Sequence, residues 1–329
     1  MPSAHTSRRL MMSAVVAGTL GLTGASALAQ GAAAWPTQPV KILVGFPGGS
    51  TPDVAARVLA EALGKSWGQT VIVENRPGAA GNIAADAVAK SRDGHTLGVV
   101  INGNLTTAAL LNPKLPFDPA KDFSFISLLG TAPLVMVTNA DKPGGADFFA
   151  AARTGGTAWS YGSVGIGSVG HLGMEALLSQ AGVSGVTHVP YNGNPAVITA
   201  LISGQVQIGL MPPGIALPQA QAGKVRVVGV TGPSSPLAPG VQPLNSMGVK
   251  LQDLEVWTAV VAAAGLPAAA RERMERDIPA LLRSPEVRDR LLAVGWQAQG
   301  SGPEAMRTRV QAEADLLGGI IQRQGIKTQ

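Results

Sequence analysis

The chain reads as an α/β protein of two Rossmann-like lobes joined by two crossings, with a cleft between them. Three observations predict it. Short apolar runs alternate with glycine-rich loops and helix-like stretches, this series occurs twice, and a strand-like run at "LEVWTAVVAAA" returns the chain after the second series. Alternation of that kind builds doubly wound, largely parallel sheets with right-handed crossovers.

The first 29 residues stand apart. Arg8 and Arg9 precede an apolar run from Leu10 to Gly24, and Ala27-Leu28-Ala29 forms an A-x-A cleavage signal before Gln30. That is the pattern of a cleavable export signal. The run is short and broken by Gly18, Gly21 and Gly24, which argues against a membrane anchor. The arginine pair fits the general secretory (Sec) route better than the twin-arginine one. The remaining 300 residues suffice for two domains. No cysteine occurs, so neither disulfides nor thiolate chemistry are available.

In the first series "VKILVGF" is a continuous apolar strand of the buried parallel type. The loop "PGGS" leads to "TPDVAARVLAEALG", with Thr51 as N-cap, Pro52 in the first helical position and Asp53 complementing the helix dipole. Val54, Val58, Ala62 and Leu63 keep one face apolar, and Gly64 is the expected stop. "TVIVEN", "RPGAAG" and "NIAADAVAKS" repeat the unit, as do "TLGVVI", "NGN" and "LTTAALL". "PLVMVTN" then leads into the second series: "TAWSYGS", "GHLGMEALLSQ", "VTHVPY", "PAVITALISG", "VQIGLM" and "VRVVGVT". After a Pro/Ser-rich loop and the returning strand, the rest is helical and is expected to pack on the first lobe. The expected division is 30–136 plus 257–329 against 137–256.

The chemistry is decided largely by elimination. Removal of the leader, which holds two arginines and no acid, takes the formal charge from +5 to +3. That mild excess is compatible with an anionic ligand. Scattered basic residues and few aromatics argue against nucleic acid. Gly165, Gly167 and Gly170 spell G-x-G-x-x-G, but no Asp or Glu lies between Glu175 and Asp253 to hold a ribose. No G-K-[ST] follows a glycine loop, and His95, His171 and His188 lack metal-ligand spacing. An exported serine esterase using Ser163 or Ser168 with His171 is the enzymatic alternative, although "YGSVG" is not the G-x-S-x-G elbow. Neither cofactor nor metal is expected.

Anion binding by backbone remains. Helix starts present free N–H groups and partial positive charge, and two are prominent, after "PGGST" and after "GSVGIGS". Ser50, Thr51, Ser163 and Ser168 would add hydroxyls. Asp53 reads as a helix-dipole and capping residue, a role that disfavours direct contact with an anion.

The segments "FPGGSTPDVAARVLAEAL", "VIVENRPGAAGNIAADAVAKSRDGHTL", "LPFDPAKDFSFISLL", "YGSVGIGSVGHLGMEALL", "HVPYNG" and "GKVRVVGVT" resemble, in order, those of the Bug family, the periplasmic receptors of tripartite tricarboxylate transporters. The resemblance spans nearly the whole exported chain. It implies a type-II-like periplasmic binding protein, monomeric, that closes on a small organic carboxylate and delivers it to membrane permease subunits. The carried-over site comprises Phe46, Gly49, Ser50, Thr51 and Asp53 of the first loop, with Gly81, Asn82, Asn102 and Asn104 beside it. From the second lobe come Ser163, Gly165, Ile166, Gly167, Ser168 and His171, and then Tyr191, Asn192, Met211 and Pro212. Many members carry lysine where Asn192 stands, and acids where this chain has Thr199 and Gln207, which implies a ligand without an ammonium group. Phe46, Trp159 and Tyr161 leave room for an aromatic acid.

Overall fold

The computed structural model describes residues 35–249 and 254–327; the expected leader lies outside them. The first series runs β1 (Val40–Val44), α1 (Thr51–Trp67), β2 (Val71–Asn75), α2 (Asn82–Ala89), β3 (Thr96–Ile101), α3 (Asn102–Leu105), α4 (Ala108–Leu111) and β4 (Phe123–Pro133). The second runs β5 (Val135–Asn139), α5 (Asp147–Gly155), β6 (Ser160–Ser163), α6 (Val169–Gln180), β7 (Thr187–Pro190), α7 (Asn194–Ile202), β8 (Ile208–Met211), α8 (Pro213–Gln221) and β9 (Val225–Val230). The chain then returns through β10 (Glu255–Ala263), α9 (Ala268–Arg283), α10 (Pro285–Ala293), β11 (Gln297–Ala298) and α11 (Pro303–Gln324).

The strands divide between two sheets, ordered β11-β4-β10-β3-β1-β2 and β7-β6-β8-β5-β9. Each holds a parallel trio, β2-β1-β3 or β7-β6-β8. The expected parallel sheets are therefore mixed. The strands next to the crossings, β10 and β4 in one sheet and β5 in the other, run antiparallel to their neighbours. β5 and β10 reach their sheets from the other lobe rather than over a crossover helix, so the right-handed βαβ rule does not set their direction; β4, reached from α4 in its own lobe, is antiparallel to its neighbours because β10 and β11 flank it.

Alternation along β1 shows why the first sheet is buried on both faces. Ile42 and Val44 pack with Leu59 and Leu63 of α1, whereas Leu43 packs with Ala85 and Val88 of α2. Helix α1 differs from expectation at both ends. Ser50, not Thr51, is the N-cap, and the helix passes Gly64 to end at Gly68 in the left-handed conformation (φ 62°). The extra turn buries Trp67 edge-on against Trp35, ring centroids 4.9 Å apart, with its indole N–H donating to Asp277.

The crossings lie side by side. Pro133 and Glu255 are paired in β4 and β10, and Leu134 and Leu254 beyond them belong to the second lobe's core. Thr231 ties the two together. Its buried hydroxyl accepts the Leu134 N–H at 2.8 Å and donates to the Leu254 carbonyl at 2.7 Å. A Thr231→Val substitution keeps the shape but strands both backbone groups, and is expected to cost about 2 kcal/mol. Urea unfolding measures this, and a midpoint and slope matching the parent would show that the hydroxyl is not the tie.

Helix α11 is shared between the lobes, although residues 257–329 were expected to pack on the first lobe. Met306 enters a first-lobe core cluster with Trp257, whereas Leu317 and Ile320 enter the second lobe's core. The helix is long enough, at 22 residues, to span both cores with its buried positions.

Candidate functional site

Two cavities lie between the lobes. The outer, of about 360 Å³, lies between α2–α4 and the glycine loop after β6; the inner, of about 40 Å³, lies behind it. They share Ile101, Val164 and Ser168 as walls.

The first-lobe loops hold one another by close backbone packing. A Cβ at Gly45 would stand 2.4 Å from the Gly81 Cα, so only glycine lets the β1 loop lie against the α2 start. Asn75 donates to the Phe46 carbonyl and to Asp53, each at 2.8 Å. Asp53 also accepts from the Gly49 N–H at 2.9 Å and from Arg57. Burial pushes the Asp53 carboxyl up, but the bonds from Arg57, Asn75 and Gly49 outweigh it and hold it below the usual carboxylate range. Asn104 is equally committed: its amide donates to Ala80 O and Asn82 Oδ1 and accepts from the Ile101 N–H.

The second-lobe loop turns at Gly165 and Gly167, with φ of 128° and 83°, conformations that favour glycine. Ser168 caps α6: it accepts from the His171 N–H at 3.3 Å and donates to Gly165 O at 2.8 Å. His171 Nδ1 accepts the Gly167 N–H at 3.1 Å. The His171 ring stacks on His188, centroids 4.1 Å apart. Burial and then the neighbouring His188 push His171 down to about 3, and burial pushes His188 down to about 4. Both rings are therefore neutral at pH 7.

Across the cleft the lobes touch. The Thr107 hydroxyl donates to Gly167 O at 2.7 Å, and the Asn194 amide meets the Thr51 hydroxyl at 3.4 Å. Besides the one-turn α3, whose Asn102 lines it, the inner cavity collects the N-terminal ends of four longer helices: Thr51 of α1, Val169 of α6, Asn194 of α7 and Pro212 just before α8. Among the described residues, no side chain lining either cavity is charged. With no charged side chain in the walls, the helix ends supply the partial positive charge there, which suits a carboxylate held by main chain.

Phe46, Ser50, Thr51, Asn102, Ser168 and Pro212 line the inner cavity. Asn82, Asn104, Gly165, Ile166, Gly167, Tyr191 and Asn192 line the outer one together with Ser168. Gly49, Asp53, Gly81, Ser163, His171 and Met211 line neither; Gly49 is exposed on the surface and the other five are buried behind the walls. Ser163 is turned inward, its hydroxyl 2.7 Å from His188 Nε2 and accepting the Gly165 N–H. The serine–histidine pair thus involves His188 rather than His171, and the serine is buried away from both cavities. Tyr161 belongs to the second core, with its hydroxyl donating to Glu175, and Trp159 packs beside Phe148. Only Phe46 of the three aromatics reaches a cavity wall.

Sequence reasoning missed Thr107, Asn194 and Leu111. The polar cluster "NGNP" before an apolar run marked Asn194 as a helix-start residue; nothing local marked the other two. His95 makes structural bonds only, with Nε2 accepting the Thr37 N–H and Nδ1 near Asp93 O. No cluster of metal-ligating side chains occurs among the described residues.

Two lobes with a neutral, amide-rich cleft between them define a solute-binding protein. Residues 55–326 match the Tripartite tricarboxylate transporter family receptor, and the chain belongs to that family. It is 30% identical to Protein BugT of Bordetella pertussis over 300 residues, covering 89% of this chain and 91% of that one. It is similar to Rpa4515 of R. palustris, solved with adipate, at 30% identity and a TM-score of 0.85, covering 89% and 99% of the two chains. MatC of Rhodopseudomonas palustris, solved with bound malate, shares 27% identity and a TM-score of 0.80 over 87% and 100%. The family is one of receptors, not enzymes, which removes the esterase alternative.

Proposed function

We propose that this receptor captures a small organic carboxylate, a di-, tri- or aromatic acid, between its lobes in the periplasm and delivers it to membrane permease subunits. Four helix starts meeting in a cleft without charged side chains carry the reading. A carboxylate placed there receives donors without facing a competing acid. The similar proteins solved with adipate and malate support the ligand class. Capture proceeds by rotation of two units that part at Leu134 and Leu254, with the leader at residues 1–29 removed on export. The receptor acts as a monomer.

A thermal-shift screen of the exported chain against a carboxylic-acid library tests this. A ligand at a hundred times its Kd adds about 2.7 kcal/mol of stability by mass action, which raises the melting temperature by several degrees. No shift with any dicarboxylate, tricarboxylate or aromatic acid would overturn the proposal.

A further inference from the structure

Resting on the carboxylate reading above, we infer that Glu313, acting through Asn102, sets the polarity of the inner cavity, so that the cleft prefers acids bearing a hydroxyl beside the carboxylate. Asn102 is wholly buried and lines that cavity, and its Oδ1 has no hydrogen-bond partner among the described residues. The amide nitrogen is committed elsewhere, donating to Glu313 Oε1 at 2.7 Å and to the Glu255 carbonyl at 3.3 Å. Turning the amide over would set its oxygen against a carboxylate and a carbonyl, so the orientation follows from charge. The other carboxylate oxygen of Glu313 accepts from the Trp257 indole N–H. Oδ1 is thereby the atom left for the cavity, whose wall also includes Ser50, with Oγ likewise buried and unpartnered among the described residues.

An amide oxygen only accepts, and so does a carboxylate. A carboxylate oxygen brought against Asn102 Oδ1 is repelled, whereas a hydroxyl on the adjoining carbon donates to it and can accept from Ser50. The cavity of about 40 Å³ has room for such a group. Glu313 touches no ligand in this arrangement and is a positioning residue.

The arrangement is sensitive to pH. Burial pushes the Glu313 carboxyl up to about 7, against the pull of Trp257, Asn102 and Arg309 and with a further push from Glu255. Arg309 is itself paired with Glu255 at 2.8 Å. From α6, Glu175 accepts from Tyr161 and His171 from Gly167, while β4 and α3 bring no titratable side chain. Once protonated, Glu313 can donate to Asn102, and the amide is free to turn its nitrogen toward the cavity.

The test uses three matched pairs of acids: succinate with malate, adipate with 2-hydroxyadipate, and phenylacetate with mandelate. Titration calorimetry at pH 8 should show the hydroxy acid binding about five- to tenfold more tightly in each pair that binds, the factor carried by one hydrogen bond. The ratio should fall below about twofold in Asn102→Leu and in Glu313→Gln, and to about two- to threefold in the parent protein as pH drops from 8.5 to 6.5, while Glu313→Gln shows no pH dependence of the ratio. A ratio within one protein is insensitive to partial unfolding, and a merely structural Glu313 would leave it unmoved. Equal binding within pairs, or a ratio that survives both substitutions, overturns this inference alone. Failure of every acid to bind overturns the carboxylate reading and this inference with it.

Discussion

Gly165→Ala is expected to weaken ligand binding by about a hundredfold while both cores stay folded. A Cβ at Gly165 would stand 2.8 Å from the Ala80 Cβ across the cleft, closer than real side chains come, and φ is 128°. The backbone strain costs about 1–3 kcal/mol wherever the lobes stand. The Ala80 contact arises only when they come together, so the penalty falls on the bound, closed state. The strain cancels between the two states; with tenfold in affinity for each 1.4 kcal/mol, a cost of about 3 kcal/mol at the overpacked contact amounts to about a hundredfold. Calorimetry with the acid found by screening measures the loss, and Ala80→Gly in the same chain should restore part of it. Binding within about threefold of the parent would mean the two loops do not approach in the complex.

The second large effect is acid lability of the glycine loop. His171 and His188 are held near 3 and 4, below the 6.5 of a free imidazole. The unfolded chain takes up protons as pH falls through 6.5, while the folded chain refuses them. The stability these rings permit is full above pH 6.5 and drains as pH falls toward 4. Between pH 7 and pH 5 each ring costs up to about 2 kcal/mol, so about 2–4 kcal/mol together after allowing for partial exposure of His188. Glu313, raised to about 7, works in the opposite direction over the same range. The comparison should therefore be between the parent and His188→Gln, both of which keep Glu313. Urea unfolding at the two pH values should show the parent losing about 2 kcal/mol more than the variant. Parallel losses would remove His188 as the cause.

Much of this architecture is legible in local pattern, because most strands are apolar runs and most helices begin with cap residues. Elements escaped where pattern and neighbours pull apart. Helix α8 begins with Pro213 and carries Pro218 inside, so its sequence reads as a loop; of the cleft wall it supports, only Met211 and Pro212 were expected. Strand β4 holds a glycine, two serines and a proline, and its role as a crossing partner is set by β10, far along the chain. The antiparallel neighbours of each trio were invisible for the same reason, since strand direction depends on which lobe the chain comes from.

At the site, glycines and serines marked the walls well, because positive φ and capping are local demands. What they could not reveal is which way a hydroxyl turns. Ser163 looks outward in the sequence and inward in the fold, because His188 takes it from the next strand over. The Asn102–Glu313 pair joins positions 211 apart in sequence, a distance over which no motif carries information. Thr231 at the crossings is likewise an ordinary threonine until both strands are placed beside it.

The proposed grip by helix ends and peptide groups has an evolutionary consequence. Main-chain donors are encoded by the fold, not by any codon in the wall, so point mutation of lining positions such as Leu111, Asn112, Tyr191 or Asn192 cannot erase them. Lineages that inherit this scaffold can exchange wall side chains freely and change the carbon skeleton they accept without passing through a non-binding ancestor. One duplicated gene could thereby diversify into receptors for many acids, each retaining the same hold on the carboxylate.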